Sequence, residues 1–156
     1  MFSTLVAELR AVGVDVQDVD PATKEQWEVD AIDGHFKGHA DGILTGVLEA
    51  PKARHLFEAK THNEKSFRQL VKHGVAEAKP EHVAQMQVYM GLLSLNRAFY
   101  LAKNKDTDAL HGWGYILRKG NHYPVASNCA PALFLRMKAI VSGETATGSF
   151  CFRSLT

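Results

Sequence analysis

GHADGILTGVLEAPKARHLFEAK, residues 38–60, sets one acidic residue, Asp41, between glycines and ends a later apolar run in Glu58-Ala59-Lys60. A buried strand has little use for two carboxylates and an ammonium unless they meet one another or a metal. Glu58 and Lys60 are two apart on a predicted strand, so they project from one face together with Leu56, while Phe57 and Ala59 point to the other. Asp41 ends a neighbouring strand, and the glycines around it let backbone or ligand approach closely. Two hard carboxylates converging beside a carbonyl make an oxygen-rich site suited to Mg²⁺ or Mn²⁺. A lysine next to them can orient or help deprotonate a water and stabilise charge on a phosphate. Taken alone, Glu-x-Lys also reads as an intrastrand charge pair, because so short a pattern recurs by chance.

The flanking sequence supplies the frame. Phe2, Leu5, Val6, Leu9 and Val12 recur at helical spacing up to Gly13. Residues 14–19 alternate as a short strand, and 26–32 and 35–44 read as two strands joined by Asp33-Gly34, a hairpin signal. After the loop 46–51, a strand is predicted over 54–61. Asn63 caps a helix running to about Ala78, and Pro80 opens a second helix to about Leu95. Strands follow at 97–103 and 111–117, then an apolar-periodic helix at 129–141. The order is α-β-β-β-α-α-β-β-α, an α/β fold with a central mixed sheet flanked by helices, in one domain spanning 1–156.

Composition excludes several classes. The formal net charge of the 156-residue chain is +1, so affinity for a polyanion has to come from local clustering. No apolar stretch is long enough to span a bilayer, and the N-terminus has no basic segment leading into an apolar one, so no membrane partner and no signal peptide are expected. Cys129 and Cys151 belong to no zinc-type spacing, and a reduced intracellular chain is the simple reading. Local clustering does occur. Lys65, Arg68 and Lys72 share one face of the helix after the Glu58 strand, and Lys103 and Lys105 end a later strand. Such a stripe is either a solvated face or a track for a phosphate backbone. His35 and His39, same-faced and close to Asp41, raise a second metal reading with Zn²⁺ or Fe²⁺, though a third nitrogen or sulfur ligand is not evident. On the second long helix His82, Gln85 and Tyr89 share a face.

Asp41 after Gly38, then Glu58-Ala59-Lys60, then Gln85 with Tyr89 resemble the PD-(D/E)XK nuclease superfamily. The pattern is similar to the RecB-like and phage lambda-exonuclease (YqaJ-like) branch, written GxxD, (D/E)xK and QxxxY, and it covers about residues 1–119. The resemblance implies a restriction-endonuclease-like core in which Asp41, Glu58 and the Ala59 carbonyl hold Mg²⁺ or Mn²⁺. It makes Lys60 the catalytic lysine, with Gln85 and Tyr89 organising the site. Lys65, Arg68, Lys72 and Lys105 become DNA contacts, and Glu8 is the one acidic candidate for the extra ligand that the first helix supplies in relatives. Ala40 stands where the superfamily has its nominal proline. Two cysteines cannot hold the four-cysteine iron–sulfur cluster of some relatives, so none is expected.

The function expected from this resemblance is metal-dependent hydrolysis of DNA, as an exonuclease in phage or bacterial recombination, repair or end processing. It would act in the cytoplasm (the bacterial host's, if phage-encoded), with a homo-oligomer or a phage recombination protein as partner. The alternative is a catalytically silent member that binds DNA or protein through the same fold.

Overall fold

The computed structural model describes residues 2–117; the helix predicted at 129–141, with Cys129 and Cys151, lies outside the described residues. Helix α1 (Phe2–Ala11) leads into strand β1 (Asp15–Gln17). A hairpin of β2 (Glu28–Ala31) and β3 (Phe36–His39) follows, then β4 (Gly42–Thr45) and β5 (His55–His62). Three helices come next, α2 (Glu64–His73), α3 (Val75–Ala78) and α4 (Pro80–Leu92), before β6 (Arg97–Asn104) and β7 (Leu110–Ile116). The main sheet runs β1-β4-β5-β6-β7, and β2-β3 stands apart as a two-stranded ribbon. Among the described strands only the β5–β6 pair is parallel, and α2–α4 make its crossover. No helix among the described residues is long and apolar enough to cross a membrane.

Alternation along the central strands sorts their side chains into two apolar layers. Leu56, Ala98, Tyr100 and Trp113 face α2–α4, where Leu70, Met86 and Met90 cover them. Phe57, Phe99 and Leu101 face the other way onto Leu5, Val6 and Leu9 of α1. Fully burying a side chain of this kind contributes roughly 1.5–3 kcal/mol, so each layer fixes which face of β5 every residue occupies. Glu58 and Lys60 thereby lie on the α4 side, as their spacing from Leu56 requires.

Three boundaries differ from the sequence reading. The stretch 35–44 is not one strand. At Ala40 the backbone N–H donates to the Trp27 carbonyl at 2.9 Å, closing the hairpin, and the chain then turns into the main sheet as β4. The Asp33-Gly34 turn is a four-residue tip in which Ile32, Asp33 and Gly34 all have positive φ. The helix from Asn63 breaks at Gly74, φ +78°, giving α2 and α3. Asn63 does cap α2, its side chain accepting from the Ser66 N–H at 2.9 Å, and Pro80 does open α4.

Candidate active site

Asp41 occupies the step between the hairpin and β4. Pairing of β4 with β5 places Gly42 opposite Phe57, so Asp41 arrives beside Ala59, whose backbone N–H donates to Asp41 Oδ2 at 2.8 Å. Glu58 comes next to it, its side chain only 1% exposed, with one carboxylate oxygen ion-paired to Lys60 Nζ. The other oxygen, Oε2, is buried and has no hydrogen-bond partner. Asp41, Ala59 and Lys60 line an open cleft of about 570 Å³, completed by Phe2, Leu5, Asp18, Gln26 and Thr61.

The electrostatics of this cluster call for more positive charge. Burial raises the pKa of Asp41, against the opposing pull of the Ala59 N–H and of Lys60. Burial likewise raises Glu58, and the Asp41 charge adds to that, while the Lys60 contact opposes it. For Lys60, burial works downward, but the hydrogen bond and charge of Glu58, then Asp41 and Tyr89, outweigh it and raise the pKa. A buried carboxylate oxygen with no partner costs roughly 1–3 kcal/mol or more, and a hard divalent cation removes that cost. The donor set, two carboxylates and the Ala59 carbonyl, fits Mg²⁺ or Mn²⁺. Among the described residues no three His, Cys, Asp or Glu side chains come together in a metal-binding group. The Zn²⁺ or Fe²⁺ reading therefore fails: His35 sits in the hairpin tip and His39 on the exposed edge of β3, so they share no strand face. The cleft meets α1 at Phe2 and Leu5; Glu8, one turn farther along, does not line it, although its Oε2 is buried without a hydrogen-bond partner.

The two glycines framing Asp41 serve the protein's own packing. A Cβ at Gly38 would stand 2.1 Å from Tyr89 Oη. A Cβ at Gly42 would stand 2.9 Å from the Gln17 carbonyl of β1. Tyr89 is thus wedged between α4 and β3, with its ring edge-on to Phe36 at 6.5 Å, close enough to Lys60 to act on its charge. Gln85 lies on the same helix, partly exposed, and does not line the cleft. Lys65, Arg68 and Lys72 are exposed on α2, but Arg68 is ion-paired with Glu64, which also takes a hydrogen bond from Asn104. Lys105 is exposed where its backbone N–H meets the His62 carbonyl at 2.9 Å, at the end of β5.

One polar arrangement has no counterpart in the sequence reading. Tyr100 Oη lies 3.0 Å from His62 Nε2 and 2.8 Å from His82 Nδ1, and His62 Nδ1 lies 3.2 Å from Ser66 Oγ. These residues come from β6, β5, α4 and α2. No periodicity links them, so only tertiary structure brings them together.

No family model and no curated protein matches the chain. Among solved structures it is similar to LHK-Exo, an alkaline exonuclease from Laribacter hongkongensis. Against that protein in complex with dAMP the TM-score is 0.50 at 18% identity, over 90% of this chain and 65% of the other. A second structure of the same exonuclease gives 0.49 at 18% identity, over 90% and 65%. The protein SSO0001 gives 0.42 at 15% identity, over 93% and 58%. The chain therefore spans less than two thirds of the length of each of these relatives. What the dAMP-bound structure shares with it is the fold: a mixed α/β core, with its five-stranded sheet flanked by helices, of the kind on which an alkaline exonuclease is built.

Proposed function

We propose that this protein is a Mg²⁺- or Mn²⁺-dependent deoxyribonuclease of the PD-(D/E)XK type, acting as an exonuclease in phage or bacterial recombination, repair or DNA-end processing. The observation that carries the reading is the buried, unpartnered Glu58 Oε2 next to Asp41, Ala59 and Lys60, which line an open cleft. The fold shared with an alkaline exonuclease and the ordered motifs through Asp41, Glu58-Ala59-Lys60 and Gln85/Tyr89 support it.

In this reading Asp41, Glu58 and the Ala59 carbonyl hold the cation, which when bound supplies Lewis-acid polarisation of the phosphate and a more acidic water. The chain's own contribution is placement and charge. The Ala59 N–H fixes Asp41 Oδ2, so the carboxylate cannot swing away from β5. Lys60 is held by Glu58 as an ammonium, which suits it to offset negative charge developing on the phosphoryl oxygens and to orient the attacking water. Phe2 and Leu5 put an apolar wall on one side of the cleft, and Gln26 a polar one from the hairpin side.

The test separates the roles. Asp41→Asn and Glu58→Gln should abolish cleavage of labelled linear DNA and weaken Mn²⁺ binding measured by calorimetry. Lys60→Ala should retain Mn²⁺ binding and lose about a hundredfold or more of the single-turnover rate. Parent protein that leaves linear, circular and single-stranded DNA intact in both cations would instead mark a silent, binding-only member.

A further inference from the structure

The hydrogen-bonded chain Ser66–His62–Tyr100–His82 ends beside the candidate site and plays no part in holding the cation. Tyr100 is fully buried and Tyr100 pairs in register with Glu58 across β5–β6, while His82 is partly exposed. Burial raises the Tyr100 hydroxyl pKa far above its usual range. Burial lowers His62, with His82, Lys79 and Lys60 adding to it, and burial lowers His82, with Lys60 and Lys79 adding to it and Glu81 opposing, so both imidazoles, like the hydroxyl, favour their neutral forms. Lys79 immediately precedes α4; its side chain is one third exposed and makes a long ion pair, 3.9 Å, with exposed Glu81, which a phosphate would have to compete with. Lys60 and Lys79 both lie close enough to His82 to act on its charge, and one oxygen of Glu58 is committed to Lys60.

Proton counting fixes what His82 can offer. A tyrosine hydroxyl has one proton, and buried Tyr100 leaves it unpaired unless one imidazole accepts it while the other donates to the oxygen. Two directions are self-consistent. In one, His82 Nδ1–H donates to Tyr100, Tyr100 donates to His62, His62 donates to Ser66, and His82 Nε2 carries a bare lone pair. In the other, Ser66 donates to His62 Nδ1, His62 Nε2–H donates to Tyr100, and Tyr100 donates to His82 Nδ1. His82 Nε2 then carries the proton. With Nδ1 committed to buried Tyr100, Nε2 is the ring nitrogen through which partly exposed His82 can meet a ligand. An anion at that edge selects the second direction, and the chain delivers a neutral N–H donor of fixed aim without the cost of charging a half-buried imidazole.

We propose that Lys79 and His82 form a phosphate-binding site for the nucleic-acid backbone, flanking the candidate centre, with Tyr100 and His62 as positioning residues that set the His82 tautomer. Lys79 supplies the charge and His82 the directed hydrogen bond. The site rests on the nuclease reading for its substrate class, a DNA strand, but needs neither cation nor cleavage.

The test is anisotropy of a labelled single strand and a labelled duplex in chelator, across a salt series, with thermal unfolding confirming that each variant is folded. Lys79→Ala should flatten the slope of log affinity against log salt by about one. His82→Ala should weaken binding about tenfold with the slope unchanged, since a neutral donor releases no counterion. His82→Gln, which keeps an N–H at similar reach, should recover most of that loss. Tyr100→Phe should weaken binding as His82→Ala does, although Tyr100 is buried away from any ligand. Parent affinity and slope in both Lys79→Ala and His82→Ala overturn the site, as does failure of the parent to bind either DNA. A parent that binds with these signatures but cleaves nothing in Mg²⁺ or Mn²⁺ leaves the site standing and removes only the nuclease reading.

Discussion

Gly38→Ala tests how the hairpin and α4 are fitted together. The added Cβ would lie 2.1 Å from Tyr89 Oη, 2.8 Å from Cζ and 3.1 Å from Cε1. Cβ atoms essentially never approach within 3.0 Å of such neighbours, so either Tyr89 or β3 must move. Tyr89 is only 6% exposed and bounded by Phe36, which leaves it little room to yield. Overpacking of this kind costs roughly 1–3 kcal/mol, and at about 2–4 °C per kcal/mol for a chain of this size the melting midpoint should fall by about 2–12 °C. Differential scanning calorimetry of the single and double variants apportions the effect. In Tyr89→Phe the hydroxyl is gone but Cζ remains, so the Gly38→Ala penalty should shrink. In Tyr89→Ala it should vanish, a coupling of about 1–3 kcal/mol, the whole of the penalty. If Gly38→Ala melts with the parent, or carries the same penalty whatever stands at 89, the reasoning is refuted.

Burial, His82 and the nearby lysines lower the His62 pKa to about 4. An unfolded histidine titrates near 6.5, so as pH falls through the window between these values the unfolded chain takes up a proton that the folded one does not, and stability declines by at most about 3 kcal/mol. Urea unfolding should show this decline in the parent and a flatter profile in His62→Gln; equal profiles would count against it. Replacing Lys65, Arg68 and Lys72 together by alanine should flatten the salt dependence of DNA binding by about two phosphate contacts, because Arg68 is engaged with Glu64. An unchanged slope returns that stripe to solvated surface.

The local rules of the chain carried much of this fold. Asn63 and Pro80 announce α2 and α4 through capping chemistry that needs only neighbours in sequence. Period-two alternation put Glu58 and Lys60 on one face, and the structure ion-pairs them there. What sequence periodicity could not give was anything decided across the sheet. The break at Ala40 depends on the Trp27 carbonyl, and the true use of Gly38 depends on a tyrosine on a distant helix. Helical spacing likewise says which face of α1 is buried, not that the turn carrying Phe2 and Leu5 is the one that lines the cleft. His62, His82 and Tyr100 had no pattern to betray them.

The hairpin β2–β3 has a further consequence, for exchange with solvent. A two-stranded ribbon is marginal alone, and this one shares no ladder with the main sheet. It is held by the Trp27 indole on the Gln17 carbonyl at 2.8 Å, by Gln26 on the Ala40 carbonyl at 3.4 Å, and by Tyr89 against Gly38. Its amides can therefore trade hydrogen for deuterium through small local openings, while those of β6 and of the first half of β5, paired on both sides, wait for events close to global unfolding. Asp41 marks the seam between these two regimes. The Ala59 N–H, beyond the rungs that β5 shares with β4, anchors its carboxylate, and the segment leading into it belongs to the part of the molecule that opens first.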